Sequence, residues 1–261
     1  MKEFTTITLD INKKIATVWL NRPEIHNAFN GVMISELIEC YEYLEQLKDI
    51  RIILLRGKGK SFCSGADLQW MMQSDKDIAN LNSMEMASCF QTIYKATKPT
   101  IAIVHGAIYG GANGLMCACD IAIAADNAKF SFPELRVGLV PSTIVPYILM
   151  RLNPHKTKLL MYTGKIIQAT EALSSGLIDY LFPEKNMEEQ VQTIVDEILK
   201  SSPRALTECK SLINVFAEKM VEQEMIDKTV KSITRMKLSE EGREGMTAFL
   251  EKRVPKWMND I

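Results

Sequence analysis

Three short apolar runs constrain this chain more than any other feature. Ile50 to Leu55 is apolar except for Arg51 and closes at Gly57, and Thr100–Val104 and Ile121–Ala125 repeat the pattern, each followed by helix-like sequence. Runs of this length without polar alternation are buried on both faces, as in a parallel sheet covered by helices. The alternation of such runs with helical segments predicts an α/β architecture. Residues 4–10 and 14–20 are β-branched runs joined by Asn12-Lys13, an N-terminal hairpin pattern. Met33, Leu37, Tyr41, Leu44 and Leu47 recur at helical spacing and predict a helix over 32–47.

The texture changes after Pro183. Residues 186–200, 203–219, 221–237 and 239–252 all read as helices, and Met225, Thr229, Ile233 and Met236 form an apolar stripe that must pack on something. The expected division is a core over residues 1–200 and a helical C-terminal region over 201–261. A chain of 261 residues buries roughly 70–75% of its unfolded surface, so its core needs neither disulfides nor metal.

Charge and composition remove several function classes. With 31 basic and 32 acidic side chains, the chain has no positive excess to drive counterion release, which argues against a nucleic-acid partner. Met1–Asp10 is charged and has no apolar stretch of signal-peptide length. The longest uncharged run, Pro99–Cys119, is broken by His105, Asn113 and five further Pro or Gly residues, so no membrane span is expected. The six cysteines read as reduced, mostly buried thiols of a cytoplasmic protein. Cys117 and Cys119 lack a second ligand pair, and His26, His105 and His155 lack metal spacing. Leu54 stands where a phosphate-binding loop needs its first glycine, Phe62 where a dinucleotide fingerprint needs its third, and no nucleophile elbow is present.

Two glycine-rich segments remain, Gly59–Leu68 and His105–Gly114, each after a buried strand and before helix-like sequence. Each can present free backbone N–H groups, and two converging N–H groups would make an oxyanion hole. Each could equally be a tight turn that lets helix and strand pack closely. Glu134, just after Pro133 in an apolar stretch, is a candidate for a raised pKa and proton transfer, or a helix N-terminal acid held by the dipole. Tyr109 and Asn113 are possible polar groups of the same site, or structural. A Cys63–His105 nucleophile pair stays open.

On these residues the sequence resembles the enoyl-CoA hydratase/isomerase (crotonase) superfamily. The shared pattern runs through Arg22-Pro23, Asn27–Asn30, Phe62–Leu68, Lys98–Gly111, Cys119–Ala122, Phe132–Gly138, Ala172–Ile178, Glu241–Gly245 and Ala248–Arg253. The resemblance implies a crotonase-like spiral of β-β-α turns, with the C-terminal helices serving trimerisation, and a homotrimer or a dimer of trimers. It implies an acyl-CoA substrate and no cofactor, coenzyme A being part of the substrate. It also implies catalysis by Glu134 and by the N–H groups of Ala66 and Gly111. Coenzyme A would lie against Ala66, Asp67, Leu68, Gln69, Gly110 and Gly111, with Phe249 and Lys252 extended toward a neighbour's adenine and phosphates.

One departure bears on the chemistry. The two-carboxylate hydratases of the superfamily carry a glutamate three residues after the second oxyanion glycine, and Gly114 occupies that position here. Glycine there is similar to the bacterial 3-methylglutaconyl-CoA hydratase-like branch of leucine breakdown. The expected activity is hydration of a 2-enoyl-CoA, with isomerisation, a polyketide-pathway dehydratase or decarboxylase, or silent acyl-CoA binding as the alternatives. Trp70, Met71, Met72, Met84 and Met86 line the acyl pocket or form adaptable core.

Overall fold

The computed structural model describes residues 3–72, 76–217 and 239–259. The chain forms two compact units, one of residues 1–96 with 100–191 and one of residues 97–99 with 192–261.

The first unit is built on a six-stranded sheet. The N-terminal hairpin pairs β1 (Ile7–Asn12) with β2 (Ile15–Leu20) antiparallel, and Lys13 turns it in the left-handed conformation. From β2 onward the sheet is parallel through β3 (Ile52–Gly57), β4 (Thr100–Val104), β6 (Ile121–Ala125) and β9 (Tyr180–Phe182). All six residues of β3 and all five of β4 are buried, as their largely apolar sequences lead one to expect, with Arg56 and Thr100 the polar members. Helix α1 (Gly31–Gln46) is capped by Asn30, whose side chain accepts the Met33 N–H at 3.0 Å. Its buried face carries Met33, Leu37, Tyr41 and Leu44. Helix α2 (Leu68–Met72) and helix α3 (Lys76–Lys95) follow β3.

A second layer of three strands, β5 (Ala107–Tyr109), β7 (Lys129–Ser131) and β8 (Ile167–Gln168), carries the functional geometry. Two successive turns of chain each give one strand to the large sheet and one to this layer. Thus β4 leads into β5 and then helix α4 (Gly111–Cys117), and β6 leads into β7 and a 3-10 turn at Glu134–Val137. The preceding turn reaches the same layer through an isolated parallel bridge between Cys63 and Ile108. The glycine-rich pattern predicts one turn over His105–Gly114. Its first half is instead β5, held between Cys63 on one side and β7 on the other. The unit continues through α5 (Val145–Leu149), α6 (Pro154–Thr163) and α7 (Ala169–Ser175).

The second unit contains most of α8 (Met187–Leu199), then α9 (Pro203–Phe216) and α10 (Glu240–Leu250). The expected helix over 221–237, with its Met225 to Met236 stripe, lies outside the described residues. No described helix is long and apolar enough to cross a membrane. All six cysteines are free thiols, and only Cys209 is exposed.

Candidate active site

The site begins with two backbone segments packed against each other. Phe29 forms an isolated parallel bridge with Ala66, its N–H donating to Gly65 O and its carbonyl accepting from Asp67 N, both at 2.9 Å. In that register the N–H of Ala66 faces away from Phe29, and it donates to nothing among the described residues. Gly65 sits at φ +102, and a Cβ there would lie 2.7 Å from Tyr109 O and 3.8 Å from Gly111 N. Glycine is therefore needed at 65 for both conformation and close approach.

On the facing segment, Gly110 takes φ 53 and ψ −125, a conformation that L-residues avoid. It ends β5 and opens α4 at Gly111, whose N–H is also undonated among the described residues. The two free N–H groups thus lie on segments in backbone contact.

The loop that presents Ala66 is held by buried polar groups. Asn27 is fully buried and left-handed. Its Nδ2 donates to Lys58 O and Ser61 O, both at 2.8 Å, and its Oδ1 accepts Arg22 N. Arg22 donates to Ala28 O at 2.6 Å and pairs with Asp67 at 3.4 Å. Asp67 Oδ1 in turn accepts the N–H of Gln69 at 3.1 Å and caps α2. Asp67 is therefore engaged within the loop, while Leu68 and Gln69 are exposed beside it.

Glu134 approaches from the end of β7. A Cβ on Gly110 would lie 3.2 Å from its Oε1, so the carboxylate stands directly over the glycine turn. Its Oε2 is buried and has no hydrogen-bond partner among the described residues. Burial pushes its pKa above the usual carboxylate range, and a hydrogen bond from its own backbone N–H offsets this in part.

Asn113 is fully buried, and its Nδ2 donates to Ile108 O and Gly110 O at 3.2 Å and to Ser131 O at 2.9 Å. Three carbonyls around one nitrogen fix the orientation of the amide, because the opposite rotamer would face acceptor to acceptor. Its Oδ1 is left buried without a partner, an arrangement that costs about 1–3 kcal/mol. Tyr109 is half-buried on β5, with its N–H on Cys63 O.

Gly114 lies one helical turn beyond Gly111. A Cβ at 114 would come within 2.3 Å of Ile144 Cγ2 and 3.0 Å of Phe90 Cζ, so apolar side chains fill that space. A Cβ at Gly111 would meet the buried Phe29 ring at 2.6 Å. Phe29, Phe90 and Ile144 were not singled out as site residues from sequence, since only the fold brings them to the glycines.

The cysteine–histidine alternative does not form. Burial pushes the Cys63 thiol up to about 12, and its sulfur exchanges hydrogen bonds with Gly65. His105 places Nε2 at 2.8 Å from Gly59 O. Of the aromatic and methionine residues expected along a pocket, Met72 and Met84 are surface side chains at 85% and 61% exposure. Trp70 packs toward Gly31, and Met86 accepts from Thr143 Oγ1 at 3.5 Å. Lys252 is exposed and left-handed at φ 56, and the Phe249 side chain lies outside the described residues.

Residues 10–260 match the family model for enoyl-CoA hydratase/isomerase. The chain belongs to that family. An enoyl-CoA hydratase from Shewanella pealeana has the same fold with a TM-score of 0.93, at 34% identity over 98% of this chain and 97% of that one. An enoyl-CoA hydratase/isomerase from Marinobacter aquaeolei superposes with a TM-score of 0.91, at 28% identity over 97% and 98% of the two chains. YhaR of Bacillus subtilis, whose name places it in the same class, is 33% identical over 94% of this chain and 96% of its own. The protein is thus an enzyme of the crotonase superfamily, and the spiral expected from the resemblance is the fold it adopts.

Proposed function

We propose that this enzyme adds water reversibly across the double bond of a 2-enoyl-CoA, with Glu134 carrying the proton. The observation that carries the reading is the Glu134 carboxylate, with its Oε1 over the turn that frees the Gly111 N–H and its Oε2 buried and unpartnered. Water addition at C3 produces an enolate whose charge collects on the thioester oxygen. Donors at Ala66 and Gly111 would stabilise that charge more in the transition state than in the bound substrate, which is what raises rate. One carboxylate suffices for the proton chemistry. It takes a proton from the attacking water and returns it to C2, and it is regenerated in each cycle.

Glycine at 114, with Ile144 and Phe90 filling its surroundings, supports a single-carboxylate mechanism over a paired one. The substrate we propose is 3-methylglutaconyl-CoA, as in leucine breakdown, in a homotrimer or dimer of trimers in the cytoplasm. Coenzyme A would lie along Ala66–Gln69, with Phe249 and Lys252 extended toward the adenine and phosphates bound by a neighbouring protomer. The same apolar wall favours one further reading, isomerisation, in which Glu134 carries a proton between C2 and C4 and no water needs orienting. The test is Glu134→Gln: turnover should fall at least about a hundredfold while acyl-CoA affinity changes little. Retained turnover would move the proton chemistry elsewhere.

A further inference from the structure

We propose that Asn113 is a positioning residue that fixes the Gly111 N–H relative to the Glu134 carboxylate. The proposal rests on the reading of those two groups given above. Gly111 follows the end of β5 and Glu134 follows the end of β7, so their relative placement depends on how the two strand ends are joined. The backbone supplies one link there, Gly110 N–H to Ser131 O at 2.9 Å. Asn113 supplies the second. Its Nδ2 reaches Ile108 O and Gly110 O on the β5 side and the same Ser131 O on the β7 side. The Gly110 carbonyl it holds belongs to the peptide whose nitrogen is Gly111 and also accepts the Asn113 backbone N–H at 3.0 Å, so the side-chain bond adds a second restraint on the plane in which the Gly111 N–H points. Gly110 also has a glycine-only backbone conformation that its own sterics do not enforce.

The orphaned Oδ1 supports the same assignment. An apolar side chain at 113 would bury no unpaired acceptor, whereas asparagine leaves one in order to place a donor among three carbonyls. A residue serving packing alone would not require that donor.

The experiment compares the full-length wild type with Asn113→Leu, which keeps the volume and loses the donor, and Asn113→Asp, which keeps the shape and loses the amine. Butanoyl-CoA, labelled with carbon-13 at the carbonyl, reports polarisation of the thioester through its infrared stretch without turning over. Both variants should bind butanoyl-CoA within about threefold of wild type, lose most of the shift of the carbonyl stretch to lower frequency, and turn over crotonyl-CoA about 10–100-fold more slowly. A wild-type stretch and wild-type turnover in a folded variant would overturn the proposal. Failure of both variants to fold would also overturn it, because Asn113 would then be a core residue. Glu134→Gln run alongside separates the two claims. If it retains turnover, the acid–base reading falls and takes this inference with it. If it is inactive while both Asn113 variants behave as wild type, only this inference falls.

Discussion

Cγ2 of Ile144 stands 2.3 Å from the point a Cβ on Gly114 would occupy, and Cζ of Phe90 stands 3.0 Å from it. The space in which a second carboxylate would be mounted is therefore filled from a neighbouring segment. Gly114→Glu alone should not create a two-carboxylate site. Overpacking typically costs 1–3 kcal/mol, and burying an unpaired carboxylate adds to that. We expect a loss of about 2 kcal/mol or more in urea unfolding, and partial recovery when Ile144→Ala is added. Full stability of the single variant would show that Ile144 yields freely.

The raised pKa of Glu134 makes a prediction about stability that is separate from activity. A carboxyl whose folded pKa lies above its unfolded value contributes most below the unfolded value, and that contribution is lost as pH rises through the folded one. Ionisation of Glu134 therefore destabilises the fold. Glu134→Gln should raise the melting temperature at pH 7–8, and the gain should vanish toward about pH 4. Thermal unfolding across that range checks it, and a lower melting temperature throughout would contradict the burial argument.

Gly111 is the first residue of α4, where a missing N–H breaks no helical hydrogen bond. Proline there would delete the proposed oxyanion donor, but its Cβ would meet the Phe29 ring. Gly111→Pro combined with Phe29→Leu removes the offending ring atoms. The pair should lower turnover about 10²–10³-fold relative to Phe29→Leu alone, with acyl-CoA binding retained. Equal turnover in the two would remove Gly111 from the oxyanion hole.

A carboxylate also holds the N-terminal segment. Glu36 on α1 accepts the backbone N–H and hydroxyl of both Thr5 and Thr6. Burial raises its pKa, but the four hydrogen bonds outweigh this and the net shift is downward. The associated stability is present above the unfolded carboxylate value and is lost as pH falls through the folded one. Glu36→Ala should cost about 1 kcal/mol near neutral pH, allowing for the partial exposure of the pair, and nearly nothing in strong acid. A pH-independent loss would assign the effect to packing.

The parts of this structure legible in the sequence are those written in consecutive residues. Thr100–Val104 and Ile121–Ala125 announce themselves because a doubly covered strand is apolar along most of its length. The hairpin and α1 follow from period and capping in the same way. Strands β5 and β7 are three residues each, and what makes them strands is pairing with partners about twenty residues away. No local pattern reports that.

The site divides along the same line. The glycine segments and Glu134 stand out as residue types in unusual settings. The roles of Asn113, Asn27 and Arg22 did not, because each binds backbone carbonyls, which any residue could supply. Phe29, Phe90 and Ile144 matter through the Cβ atoms that glycines lack, a relationship visible only in three dimensions.

The most direct test of the central claim is the mass of the product formed from 3-methylglutaconyl-CoA, crotonyl-CoA and a 3-enoyl-CoA, each incubated separately with the pure enzyme and with Glu134→Gln. A 2-enoyl substrate should gain one water with loss of enoyl absorbance, fastest with 3-methylglutaconyl-CoA, and the gain should disappear in the variant. Conversion of the 3-enoyl substrate to its 2-enoyl isomer without any change in mass, or water addition that persists without the Glu134 carboxylate, would contradict it.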